Sequence, residues 1–97
     1  MDPDLSDLTI ADVVVSTAGR DQGKLYYVLS FDETYLQLVN GKDKTIEKPK
    51  QKKRKHAKKV LRSETRVAEK LKQGDKVLNS ELRRDLAELS RAMQGTT

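Results

Sequence analysis

A chain of 97 residues, 35% apolar and only 4% aromatic, makes one domain with a small core. It has no cysteine, which excludes disulfides, zinc–thiolate sites and thiol catalysis, and no apolar run approaches the roughly 20 residues of a membrane-spanning helix. The net charge of +5 is polarised: residues 41–60 hold ten of the twenty lysines and arginines against two carboxylates, while residues 1–40 hold seven acids and two bases.

The acidic opening, Met1-Asp2-Pro3-Asp4, has neither the basic end nor the apolar stretch of a secretion leader, so the expected setting is cytoplasmic. Residues 1–60 read as β. The β-branched run Ile10 to Val15 predicts a first strand. A polar, glycine-bounded loop follows over residues 17–23, then a second strand over Lys24 to Phe31. Tyr26 and Tyr27 are adjacent there and face opposite sides, which predicts one in the core and one outside. Asp32-Glu33-Thr34 makes a turn, and Tyr35 to Val39 alternates as a third strand. Asn40-Gly41 is a strong hairpin signal, because both residues tolerate positive φ. Thr45 to Lys48 is then a short fourth strand, ended by Pro49. The basic run becomes a loop, and His56 to Leu61 a fifth strand. Short strands with tight turns and no intervening helix argue a small closed barrel.

After Leu61 the texture becomes helical. Ser63 is positioned to cap a helix over 64–73 that ends at Gly74. Asn79 or Ser80 is positioned to cap a second over 81–94, in which Leu82, Leu86, Leu89 and Met93 form one stripe, expected first to pack against the barrel or against Val67 and Leu71 and otherwise to dock a protein partner. Fraying is expected at both chain ends. The division expected is a barrel over 1–61 and a helical extension over 62–97.

Two candidate sites stand out. Gly19-Arg20-Asp21-Gln22-Gly23-Lys24 superficially matches a nucleotide-binding phosphate loop. It lacks one spacer residue and the metal-binding hydroxyl, and a strand follows where a helix belongs. Arg20 and Lys24 are placed to hold a phosphate, with Gln22 offering an amide to a base or a 2′-hydroxyl. The second candidate is Lys48-Pro49-Lys50-Gln51-Lys52-Lys53-Arg54-Lys55-His56-Ala57-Lys58-Lys59. Such a block repels itself unless solvated, disordered or set against an anion. A nuclear-localisation signal has similar composition, but a run of phosphates is the anion that suits it best. His56 has no metal ligands around it, and no spacing isolates a catalytic pair of carboxylates, so no enzyme and no cofactor are expected.

The stretch Asp12-Val13-Val14-Val15-Ser16-Thr17-Ala18-Gly19-Arg20-Asp21-Gln22-Gly23-Lys24-Leu25-Tyr26-Tyr27-Val28 resembles the KOW motif: strand, glycine-bounded basic loop, obligatory glycine, strand. Gly23 matches the obligatory glycine. Asn40-Gly41 and the run Lys50 to His56 match later features of KOW-bearing large-subunit ribosomal proteins of archaea and eukaryotes and their short bacterial relatives. The resemblance departs at Ala11 or Asp12, where a glycine often precedes the first strand, and at Tyr26, where a small residue is frequent. It implies a mainly β fold, an SH3-like barrel, and a partner that is structured RNA, ribosomal RNA above all. The RNA-binding residues it and the charge pattern suggest are Arg20, Gln22, Gly23, Lys24, Lys42, Lys44, Lys50, Lys52, Lys53, Arg54, Lys55, His56, Lys58 and Lys59. The alternative is a protein-interaction module of a transcription or translation complex, docking ribosomal or transcription proteins through Leu82, Leu86, Leu89 and Met93. Neither reading calls for a membrane or a small-molecule substrate.

Overall fold

The computed structural model describes residues 7–94, so the fraying expected at the ends falls outside the described residues. Five strands come first: β1 Asp12–Ser16, β2 Leu25–Phe31, β3 Tyr35–Val39, β4 Lys50–Lys53 and β5 Ala57–Arg62. A single 3-10 turn, Arg54–His56, joins β4 to β5, and helices α1 Arg66–Gln73 and α2 Asn79–Gln94 follow. All ladders are antiparallel and the order is β4-β3-β2-β1-β5. The expected combination of a β unit followed by helices is therefore present. The closed circuit is not: β4 and β5 are the two edges of the ladder. No described helix is long and apolar enough to cross a membrane.

β2 is buried on both faces, and Tyr26, Tyr27 and Val28 are each fully inaccessible. On one face Tyr26 and Val28 pack with Leu8, Val14, Leu36, Leu38 and Ala57. On the other, Tyr27 joins Ala11, Val13 and Val39 against Val67, Ala68, Leu71, Leu82 and Leu86 of the helices. The expectation of one exposed tyrosine is thus corrected, because the helices cover the second face. In the leucine stripe the packing reading holds for Leu82 and Leu86, which belong to the core with Val67 and Leu71, and the docking reading is corrected there; Leu89 is half-buried against that core and only Met93 of the four is exposed. Burying each such leucine contributes about 1.5–3 kcal/mol, enough to hold a helix that would be marginal alone.

Polar contacts fix the helices to the sheet. The Tyr27 hydroxyl donates to Asp85 on α2 and lies 3.0 Å from Ser63 Oγ. Thr65 donates to the same Asp85 oxygen at 2.7 Å, and its Oγ1 accepts from Ala68 N as the N-cap of α1. Thr65, rather than Ser63, is therefore the cap. Burial, reinforced by the Asp85 carboxylate, pushes the Tyr27 phenol up to about 12, so it stays a proton donor.

The fourth strand lies later than expected. It follows Pro49, whose missing N–H is tolerated at a strand start, and residues 46–48 form bends instead of a strand. The Asn40-Gly41 turn does form, with Asn40 Oδ1 accepting from the backbones of Lys42 and Lys44 at 3.0 Å. It opens a longer connection over 40–49 instead of a tight hairpin. That connection is pressed against the start of α2: Asn79 Oδ1 accepts from Ile46 N at 3.0 Å, and Arg83 Nη1 donates to Gly41 O at 2.7 Å.

Gly41 sits at φ +76°, and a Cβ there would lie 2.1 Å from Asn79 O. Left-handed strain and this backbone clash add, so Gly41→Ala is expected to cost at least about 2 kcal/mol. Thermal unfolding followed by circular dichroism should show Tm falling by about 8 °C or more.

Candidate nucleic-acid interface

The loop between β1 and β2 is closed by its own backbone. Gly23 N donates to Ser16 O at 2.8 Å, Lys24 N to Asp21 O at 3.0 Å and Gln22 N to Gly19 O at 3.2 Å. Gly23, at φ +91°, permits the reversal. The tight loop turns Asp21 inward, where the structure gathers charges that the sequence keeps far apart. Lys52 Nζ lies 2.8 Å from Asp21 Oδ1, 2.7 Å from Ser16 Oγ and 2.8 Å from Ala18 O. Ser16 Oγ reaches Asp21 Oδ1 at 2.9 Å, the Tyr26 hydroxyl donates to Oδ2 at 3.2 Å, and Lys50 Nζ stands 3.6 Å away. Burial alone would raise the Asp21 pKa. The hydrogen bonds from Lys52 and Ser16 and the charges of Lys52 and Lys50 outweigh it and hold the carboxyl well below the usual carboxylate range.

A second aspartate anchors the opposite end of β1. Asp12 is fully inaccessible; its carboxylate accepts from Thr9 N at 2.8 Å and Thr9 Oγ1 at 3.0 Å. Lys59 Nζ and Arg62 Nε approach it at 3.2 and 3.3 Å. Burial again opposes ionisation, and the Thr9 hydrogen bonds with Lys59 overcome it, so Asp12 also titrates low.

The basic run is therefore divided in two. Lys52, only 8% exposed, is a structural cation and not a surface contact, which corrects its assignment to RNA. Lys59 is largely buried on Asp12, and Lys50 is shared with Asp21. The alternation of β4 explains this: Lys50 and Lys52 pair with Leu38 and Leu36, while Gln51 and Lys53 pair with Gln37 and Tyr35 on the other face. Arg20, Lys53, Lys55 and Lys58 are exposed and form no ion pair among the described residues. His56 is half-buried in the 3-10 turn. Arg54 lies over the Phe31 ring, 5.7 Å from its centroid, and donates to Asp32 O at 2.9 Å.

These pieces meet at one corner of the sheet. Thr17 N donates to His56 O at 2.9 Å, and Lys52 ties β4 to Ala18, so the 17–24 loop, β4 and the 3-10 turn form one unit. Gln22 and Gly23 are exposed at the loop tip. Lys24 extends toward the 40–44 turn, where it meets Asp43 at 3.2 Å; Lys42 is exposed and Lys44 half-buried in that turn. The half-buried Tyr35, opposite Lys53 in register, adds an aromatic ring that sequence reading overlooked. The sequence carries no signal for that pairing, because it predicts a loop where β4 forms. Among the described residues, no three His, Asp or Glu side chains are grouped to hold a metal ion.

No protein-family model matches the chain, and no curated protein matches it.

Removing one partner of a buried ion pair strands the other, at a cost of about 3–5 kcal/mol. Chemical denaturation of Lys52→Ala should show a loss of that size, against about 0.5 kcal/mol or less for Lys53→Ala. Acid should act through the same carboxylates. Asp12 and Asp21 stay ionised in the folded state at a pH where the unfolded chain, near the ordinary 3.8, binds protons. Their contribution is thus full above 3.8, declines as pH falls below it, and vanishes once the folded carboxylates protonate. Tm measured from pH 7 downward should drop below this point, and Asp21→Asn, already weaker at neutrality, should decline less steeply.

Proposed function

We propose that the protein is a non-enzymatic, cytoplasmic RNA-binding module of the KOW type, an SH3-like barrel that grips the backbone of structured RNA, with ribosomal RNA the leading candidate. The observation that carries the reading is the division of the basic run. Inward lysines are consumed by Asp12 and Asp21, while Arg20, Lys53, Lys55 and Lys58 stand exposed around a corner bonded into one unit. Exposed cations that form no ion pair among the described residues, carried on a small bonded scaffold, suit a repeating polyanion better than a single charged group.

Two features support the SH3-like reading. The strand order β4-β3-β2-β1-β5 leaves as edges the two strands that one 3-10 turn connects, as a partly open barrel requires. Ala11 occupies φ +73° just before β1, a conformation suited to the glycine often found there in KOW proteins. The docking alternative is weaker, since Leu82 and Leu86, half of its stripe, are committed to the core.

Phosphate contacts give affinity and position, whereas shape and 2′-hydroxyls give RNA preference. If the four outward cations each neutralise about one phosphate, log K should fall with log salt at a slope of about −3 to −4. Lys53, Lys55 and Lys58 together reversed to glutamate should abolish binding to a structured RNA in fluorescence polarisation, with Tm shifted by no more than about 4 °C. A flat salt dependence, or full affinity in the triple variant, would remove the basic corner from the mechanism.

A further inference from the structure

A groove of about 690 Å³ opens where the 17–24 loop, the 40–44 turn and α2 meet. That size lies within the range of sites that take small organic ligands. Three cations line it, Lys24, Lys42 and Arg83, against the single carboxylate of Asp43. Its apolar lining comes from Leu25 on β2 and from Leu86 and Ala87 on α2. An apolar wall beside clustered cations matches a flat ring joined to an anion.

The cations are held but not used up. Arg83 spends one donor on Gly41 O, 2.7 Å away, and a guanidinium carries five. Among the described residues Lys24 forms its ion pair with Asp43 alone, at 3.2 Å, and both side chains are about half exposed. Such a surface pair is worth about 1 kcal/mol or less, so a phosphate readily displaces it. Asp43 is engaged on both oxygens, by Asn40 Nδ2 at 2.7 Å and by Lys24. Its charge is therefore already matched by Lys24 and Asn40, which leaves Lys42 and Arg83 as the better phosphate partners.

We propose that this groove receives one unstacked nucleotide of the bound RNA, its base against Leu25, Leu86 and Ala87 and its phosphate on Lys42 and Arg83. The inference rests on the RNA-binding reading and extends it from backbone contact to recognition of a non-duplex feature. Gly23 and Lys24 belong to both the basic corner and the groove, so an RNA strand on the corner leads directly into it. A base within a duplex is stacked and cannot enter, whereas a loop or bulge base can. The groove would thus make α2 part of the RNA surface and favour RNA with single-stranded elements.

The test compares the intact protein and Ala87→Glu on two RNAs of equal length, a perfect duplex and a hairpin with an unpaired loop. Ala87 is exposed on α2, so the substitution fills the groove with a negative side chain without touching the core. The expected result is at least about fivefold tighter binding of the hairpin by the native protein. Ala87→Glu should erase that preference while keeping duplex affinity and Tm. Photo-cross-linking with 4-thiouridine in the loop should label residues 83–90. Equal affinities in the native protein, or a preference that survives Ala87→Glu, would overturn the groove assignment and leave backbone binding standing. Failure to bind either RNA would sink both. A nucleoside monophosphate that saturates the groove without affecting hairpin binding would assign it to free nucleotide. Polyglutamate that displaces the hairpin through residues 83–90 would assign it to an acidic peptide.

Discussion

The contact between Asp21 and Lys52 organises the rest of the molecule. It joins the first loop to the fourth strand across 31 positions of sequence, and it does so inside the sheet, where an unpaired charge would be intolerable. Because Lys52 also bonds Ser16 and Ala18, one ammonium satisfies all three of its donors on β1 and its loop. That contact pulls β4, itself an edge strand, against the loop after β1. The adjoining 3-10 turn bonds Thr17, so the exposed cations of both segments inherit fixed positions.

Tyr27 plays the corresponding role on the outer face. A phenol fully buried in a strand must find a partner, and Asp85 meets it from α2, with Thr65 on the same carboxylate. The helices are consequently continuous with the core of the sheet and not an appendage strung behind it. This has a functional consequence. α2 is brought beside the 40–44 turn, where Arg83 binds Gly41, and its remaining exposed side becomes available to whatever approaches the basic corner.

Much of this was legible in the sequence, for identifiable reasons. The β-branched and aromatic runs of β1 to β3 and the leucine stripe of α2 carry strong periodicity, and Gly74 does end α1 in a left-handed conformation. Legibility failed where a partner distant in sequence decides the outcome. Tyr26 and Tyr27 alternate as any strand residues do, and only the docking of α1 and α2 shows that both faces are covered. β4 contains no apolar residue, so hydrophobic pattern had nothing to report there. Charge counting likewise marked out the basic segment but could not separate Lys52 from Lys53. Those neighbours differ only in which side of the sheet they face.

That last difficulty bears on how the chain chooses its register. A strand reading Lys-Gln-Lys-Lys gains nothing from apolar burial, so a slip along β3 is not opposed in the usual way. A one-residue slip would turn Gln51 or Lys53 inward. Glutamine cannot neutralise Asp21, and Lys53 inside would draw Lys52 out of reach of Ser16 and Ala18. A two-residue slip would bring Lys50 to the Lys52 position and set Lys48 beyond Pro49, a residue that cannot donate to a ladder. The observed register gives the buried carboxylate a full set of donors and keeps Lys53 outside. The aspartate thus acts as a selector of alignment as well as a fixed point of the fold. It selects the alignment in which half of a lysine-rich segment is neutralised and the other half is presented to solvent.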